Sequence, residues 1–334
     1  MRPWGSVLLC LLVFACGEKR ERHLERFQGR GALTQEKLEP LDAFALPENP
    51  AVADRVFLMS QAEVARRLGA HRSQAEMRYQ MAGQEERLAL AETDTIVTAQ
   101  NGDFRIKVEN DASGGYEAVF SGGRFYVKNL WGPFHERDTL LGAPDQFREQ
   151  AFGAVASLYR LYRGRWRFQK LGLMRHHGRD AAKFAVTLAP GEPRLPGTVP
   201  PPPAPAGVKK YVYPVEAPPA DEERFRDRLN PRDLRGTVSV DTESGALLAA
   251  DLAGSLQVDE PDGGTIALEV SLRFLADGFG NPPLVPPPPA SEVKPIPQRD
   301  TLNNRVLDFY FGKGFTSTLG PPAGVTAPLT NPNP

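Results

Sequence analysis

Between residues 85 and 131 apolar and polar side chains alternate with a period of two, and glycine-marked breaks interrupt the alternation. From Glu85 to Gln100, Leu88, Leu90 and Ile96 share one parity, and Ala89, Ala91, Val97 and Ala99 share the other. Both faces of this first strand therefore carry apolar groups. Phe104, Ile106 and Val108 then alternate with Arg105, Lys107 and Glu109, Tyr116, Ala118 and Phe120 form a third run, and Phe125 and Val127 a fourth. Successive strand side chains point to opposite faces, so this period predicts a β-meander with one buried and one solvated face. Asn101-Gly102 tolerates positive φ and predicts a type I′ hairpin turn. Ser113-Gly114-Gly115 and Ser121-Gly122-Gly123 mark the next two turns.

Outside the meander, the alternation of Met77, Tyr79 and Met81 predicts a strand over Arg72–Met81. Trp166 with Phe168, and Phe184 with Val186 and Leu188, predict two more. From Gly236 onward Val238 and Val240, then Ala246 to Val258, then Ile266 to Phe274, predict three long strands. Helical spacing appears in three places. Ser60-Gln61-Ala62-Glu63 is a capping box opening a helix that Gly69 stops. Phe147, Ala151, Ala154, Val155, Leu158 and Leu161 recur at three to four residues and predict one helix over Pro144–Arg163. A short helix over Asp221–Leu229 ends before Pro231. These elements predict an α+β fold, mostly antiparallel β. It is a single large curved sheet or half-barrel with a few covering helices, in which Gly236–Phe274 completes the meander.

Composition changes this picture at the ends and at two interior points. Residues 190–219 form a proline-rich insert, densest over Pro196–Ala206, where proline's missing amide forbids a ladder. A second cluster, Pro282 to Pro289, opens a proline-rich C-terminal tail over 281–334. Residues 16–55 are charged and then irregular, with prolines at 40, 47 and 50, and read as a tether. The β-rich domain is expected over 56–280. The formal charge of −1 is too small to recruit nucleic acid. Only two cysteines occur, Cys10 and Cys16, so no disulfide framework holds the domain and its core must.

Candidate chemistry is sparse. His176-His177 is the only histidine pair; adjacent strand residues face apart, so a turn carrying two solvated histidines is expected rather than a metal site. No nucleophile, phosphate-loop, zinc or dinucleotide motif is present, and no cofactor, metal or catalytic residue is expected. Asp241, Glu243, Asp251, Asp259 and Asp262 read as solvated acids at strand ends. Phe125, Tyr126, Trp131 and Phe134 are an aromatic run more consistent with core than with a pocket.

The first 15 residues have a signal peptide's form, with Arg2 ahead of an apolar run from Val7 to Phe14 that is too short to span a bilayer. Val13-Phe14-Ala15-Cys16-Gly17 resembles the lipobox of bacterial lipoproteins, with Phe14 larger than the usual residue. That resemblance implies cleavage before Cys16, lipidation of Cys16 and attachment to a membrane. Gly17 in place of aspartate implies the outer membrane, facing the periplasm. The order of helix, hairpin meander, mid-chain helix and Asp241–Leu248 turn resembles the lipoprotein-carrier fold shared by LolA, LolB, LppX and RseB. It covers residues 60 to 278, and the proline-rich inserts depart from it. What it implies is an apolar concavity for acyl chains or an apolar peptide. The expected lining is Phe104, Ile106, Phe120, Phe125, Leu252 and Leu268. The expected protein is thus a non-enzymatic envelope lipoprotein with a lipid or lipoprotein ligand. The rival expectation is an interaction lipoprotein with a packed sheet whose proline-rich segments bind an envelope protein.

Overall fold

The computed structural model describes residues 38–82, 87–137, 139, 143–162, 164–191, 228–259, 264–279 and 283–295. Among these, helices α1 (Pro50–Phe57) and α2 (Gln61–Leu68) lead into a first run of strands: β1 (His71–Ala82), β2 (Arg87–Thr98), β3 (Phe104–Asn110), β4 (Gly115–Ser121), β5 (Arg124–Asn129) and β6 (His135–Arg137). Helices α3 (Ala143–Ala151) and α4 (Ala154–Leu161) follow. A second run then comprises β7 (Trp166–His176), β8 (Arg179–Leu188), β9 (Leu229–Asp241), β10 (Leu247–Asp259) and β11 (Thr265–Asp277).

All eleven strands belong to one antiparallel sheet that does not close, in the order β6-β5-β4-β3-β2-β1-β11-β10-β9-β8-β7. Every neighbour in space is a neighbour in sequence except one pair. Strand β1 lies against β11, in register from Arg72 opposite Asp277 to Ala82 opposite Ala267. The first run therefore steps outward to the β6 edge, α3 and α4 carry the chain to the β7 edge, and the second run steps back to the middle.

Period two puts one set of side chains under the helices. Ala75, Met77, Tyr79, Ile96, Phe104, Ile106, Val108, Val238, Leu252, Leu272 and Phe274 join Phe57, Phe147, Leu158 and Tyr159 in one buried cluster. Rings knit the cover to the sheet. Phe57 stacks on Tyr159 at 5.2 Å and on Phe168 at 5.5 Å between ring centres. Inside this layer Tyr159 Oη donates to Asp54 Oδ1 at 2.8 Å, which satisfies both buried groups. Tyr162, just past α4, donates to the carbonyl of Asp233 at 3.0 Å. Gly254 on β10 makes room for it, because a Cβ there would run into Tyr162 Oη and that same carbonyl.

Several expectations need correction. The mid-chain helix is two helices. The break falls at Phe152-Gly153, where Gly153 leaves helical geometry at φ −112° and ψ 3°. The expected tether over 16–55 runs into folded structure, because Leu41, Ala43, Leu46 and Ala53 are buried in the main cluster. Helix α1 starts on Asn49, whose side chain accepts from the amide of Ala51, with Pro50 at the first helical position. Of the helix expected over 221–229, residues 221–227 lie outside the described residues, and Leu229 already belongs to β9. Pro231 also sits in β9, opposite Leu256, where the register slips by a residue. Pairing with β8 begins only at Arg235, so Pro231 falls where β9 has β10 alone beside it.

The capping box is also divided differently. Ser60 Oγ accepts from the amide of Glu63 at 3.1 Å. Glu63 instead bonds Arg67 Nε at 2.8 Å. The remaining amides, of Gln61 and Ala62, are met at 2.7 and 2.8 Å by Glu149 of α3. The β2–β3 turn is longer than a two-residue hairpin. The amide of Gly102 reaches the carbonyl of Ala99, only Gly102 of the Asn-Gly pair has positive φ, at 85°, and the amide of Ala99 closes on Asp103. The true two-glycine turn is Gly122-Gly123, at φ 57° and 78° between the paired Ser121 and Arg124.

The second proline cluster is not a bare tail where it is described. Residues 283–295 run across the sheet face opposite the helices. Val285 is buried there with Ala99, Val119, Tyr126 and Phe134. Ser121 Oγ donates to the carbonyl of Val285 at 2.8 Å, and Phe134 pairs with Val293. The insert core at Pro196–Ala206 and Cys16 lie outside the described residues.

Candidate functional site

Strand register sorts the expected lining residues into rows across the helix-covered face. Phe104, Phe120 and Phe125 form one row, with Phe104 opposite Phe120 and Phe120 opposite Phe125. Ile106 lies in the next, opposite Ala118. Leu252 and Leu268 stand on β10 and β11 beyond β1, opposite Leu272 and Leu256 respectively. All six point to one face and join one cluster, five of them buried and Phe120 half-buried. The structure thus brings them to a single surface, in two groups separated by β1 and β2.

The chain's own helix lies on the first group. Phe147 of α3 meets Tyr116 and Phe125 edge-on, with ring centres 5.5 and 5.4 Å apart. Arg148 places its guanidinium 5.1 Å from the centre of the Phe104 ring, and Phe104 stacks on Phe120 at 5.6 Å. The aromatic run divides. Phe125 faces the helices, Tyr126 and Phe134 lie under Val285 on the other face, and Trp131 is 83% exposed.

A polar island interrupts the apolar layer between the two groups. Glu92 and Asp94 lie two residues apart on β2, on the parity of Ile96, and both are buried. Glu92 stands opposite Met77 and Asp94 opposite Ala75. Burial pushes the Glu92 carboxyl up to about 7. Burial first, and then the neighbouring Glu92, push Asp94 well above the usual carboxylate range. The Tyr116 phenol, beyond Val108, is raised by burial and by both acids. On β1, Ser73 shares this face and is 1% exposed. Among the described residues neither Ser73 Oγ nor Asp94 Oδ1 has a hydrogen-bond partner. A buried polar atom left unpaired costs about 1–3 kcal/mol, so an unpaired pair on one face of one sheet needs a reason. The signal was present in the sequence. On the parity of Leu88, Leu90 and Ile96, two acids replace two apolar residues.

A depression of about 580 Å³ opens elsewhere, on the face opposite the helices. Arg78, Gln80, Arg235, Ser255, Glu269 and Ser271 contribute to its walls. A surface this polar does not suit an acyl chain. Two other sites resolve as structural. Asp241 is held by Arg179, with Nε at 3.1 Å and Nη2 at 2.7 Å, and by the amide of Ser244 at 2.9 Å. Burial would raise its carboxyl, but the Arg179 and Ser244 hydrogen bonds overcome it and hold Asp241 below the usual value. Of the histidine pair only His177 is in a turn, at φ 46°. His176 is buried and bonds the carbonyl of Ala276 through Nε2 at 2.8 Å, so the expected pair of solvated histidines does not form.

No family model matches the chain, and no curated protein sequence matches it. Solved structures similar to it include LolA superfamily proteins. One, from Nitrosomonas europaea, is 9% identical over 70% of this chain and 93% of its own, with a TM-score of 0.18. LprF from Mycobacterium bovis is 12% identical over 71% of this chain and 96% of its own, with a TM-score of 0.23. A DUF1329 family protein from Desulfovibrio piger is 8% identical over 71% and 93%, with a TM-score of 0.20. The chemistry of the site rests on this chain's own residues.

Proposed function

We propose that this chain is a non-enzymatic lipoprotein of the bacterial cell envelope that binds an apolar ligand, lipid or lipoprotein acyl chains, on the helix-covered face of its sheet. Lipid on Cys16 anchors it, in the outer membrane and facing the periplasm. The observation that supports ligand binding is the nature of the cover. The apolar face runs through both halves of the sheet, and helices rather than a second sheet lie on it. Helix hydrogen bonds are internal to each helix. Parting α3 and α4 from the strands would therefore expose Phe104, Ile106, Phe120, Phe125, Leu252 and Leu268 without breaking a ladder. Native mass spectrometry of the gently purified protein is the direct test. Bound lipid is expected; bare protein, with no melting shift on adding acyl probes, refutes ligand binding. Acyl labelling tests the anchor separately, since Cys16→Ser must abolish it.

A second reading has one observation in its favour. Phe147 and Arg148 already occupy the rings of Phe125 and Phe104. A packed sheet of this kind suits an interaction lipoprotein whose proline-rich segments bind an envelope protein. On that reading deletion of Pro196–Ala206 abolishes a co-purifying partner and leaves the melting temperature unchanged.

A further inference from the structure

The island on β2 gives the proposed ligand a headgroup. We infer that Glu92 and Asp94 form a recognition site for the protonated amine of an amphiphile whose chain lies against the apolar face; this rests on the apolar-ligand reading above. Three observations carry it. First, the two carboxylates are buried side by side on the ligand-facing side of the sheet, and among the described residues no ion pair reaches either one. Second, Asp94 Oδ1 is unpartnered, and so is Ser73 Oγ on the neighbouring strand and the same face. Third, the row that begins at Glu92 continues through Met77 and Leu272 to Leu252. Strands lie about 4.8 Å apart, so this row runs about 14 Å from carboxylate to aliphatic surface. It is polar at one end and greasy along its length, which is the layout of an amphiphile.

The chemistry selects the headgroup. An ionised carboxylate only accepts hydrogen bonds, and an ammonium offers three donors and no acceptor. Buried charges persist when paired and hydrogen-bonded, so one ammonium meets the need of a pair that retains one shared proton. A carboxylate or phosphate headgroup would be repelled. A calcium ion wants six to eight oxygens; the flanking Ala75, Met77 and Val108 side chains supply none, and Asn110, opposite Glu92, already accepts from the amide of Gly114 through its side-chain oxygen.

The test compares octylammonium, 1-octanol and octanoate as probes of the intact chain, by calorimetry and thermal unfolding at mildly alkaline pH. Octylammonium is expected to bind about tenfold tighter than octanol, the size of a charge-assisted hydrogen bond, and octanoate weakest. Glu92→Gln and Asp94→Asn should each bring the amine close to octanol. Both keep the side-chain shape, and either alone suffices if the other fails to fold. Equal affinity of wild type for amine and alcohol overturns the headgroup site and leaves the apolar-ligand reading standing. So does an amine preference that survives both substitutions, or a calcium-induced melting shift that they abolish. If no probe binds, the apolar-ligand reading fails and the headgroup site fails with it.

Discussion

Replacing Glu92 by glutamine should stabilise this protein, but only above a definable pH. Glu92 is 5% exposed, and its carboxyl is raised from 4.5 to about 7 by burial. A raised carboxyl means that the folded state holds the proton longer than the unfolded chain. Below pH 4.5 both states are protonated and the site is neutral in its effect. As pH rises from 4.5 towards 7 the unfolded chain ionises while the folded chain keeps its proton, so stability falls; above 7 both states are ionised and the loss levels off. A shift of about 2.5 units at 1.36 kcal/mol each makes this loss about 3 kcal/mol. Asp94 is raised in the same direction and couples to Glu92, so the two titrate as a pair. Glu92→Gln keeps the shape and removes the charge. Scanning calorimetry across pH should therefore show wild type and variant melting together in acid. Above neutrality the variant should melt about 6–12 °C higher, at about 2–4 °C per kcal/mol for a domain of this size. A difference that does not change with pH, or a variant less stable in alkali, would falsify the account of a strained, desolvated carboxylate.

Three other predictions concern the scaffold. Arg179→Ala should cost about 3 kcal/mol near neutral pH by leaving the buried Asp241 without its fork. Asp241 is held below its usual value, so the deficit should shrink as acid protonates it, which urea unfolding at two pH values can read. Gly254→Val should cost about 1–3 kcal/mol by overpacking against Tyr162 and the β9 backbone. Adding Tyr162→Phe should restore part of that, because the Asp233 carbonyl stays in the way. Glu149→Ala should cost about 1–2 kcal/mol, the value of a lost helix cap. Hydrogen exchange should speed up at Gln61 and Ala62, with little change at Leu68.

How much of this was legible depended on whether burial leaves a periodic trace. Strands β3, β4, β5, β10 and β11 did, because one face of each is under helices and the other is not. That Phe104, Ile106, Phe120, Phe125, Leu252 and Leu268 share one face followed from the same alternation. Helix α1 was missed although Asn49-Pro50 is a proper start signal, because three prolines within residues 40–50 resembled an irregular tether. The Phe152-Gly153 break was invisible, since the apolar spacing carries on through it and only backbone angles change. Residues 283–295 gave no pattern because an extended proline-rich strap contacts the sheet at isolated points, Val285 and Val293. The acids leave a trace of another kind. The parity of Leu88, Leu90 and Ile96 predicts an apolar face, and the two positions that break it, Glu92 and Asp94, are the informative ones.

The pairing of β1 with β11 has a consequence during synthesis. Every other ladder joins strands that emerge one after the other, so each can zip as it appears. Strand β1 must wait for about 180 residues, roughly 10–40 s of translation, with one side of its backbone unpaired. In that interval Met77 and Tyr79 sit on an open edge, the kind that recruits other chains. The seam in the middle of the finished sheet is thus its last joint to set, and a nascent chain shortened before Thr265 would keep that edge as a permanent adhesive surface.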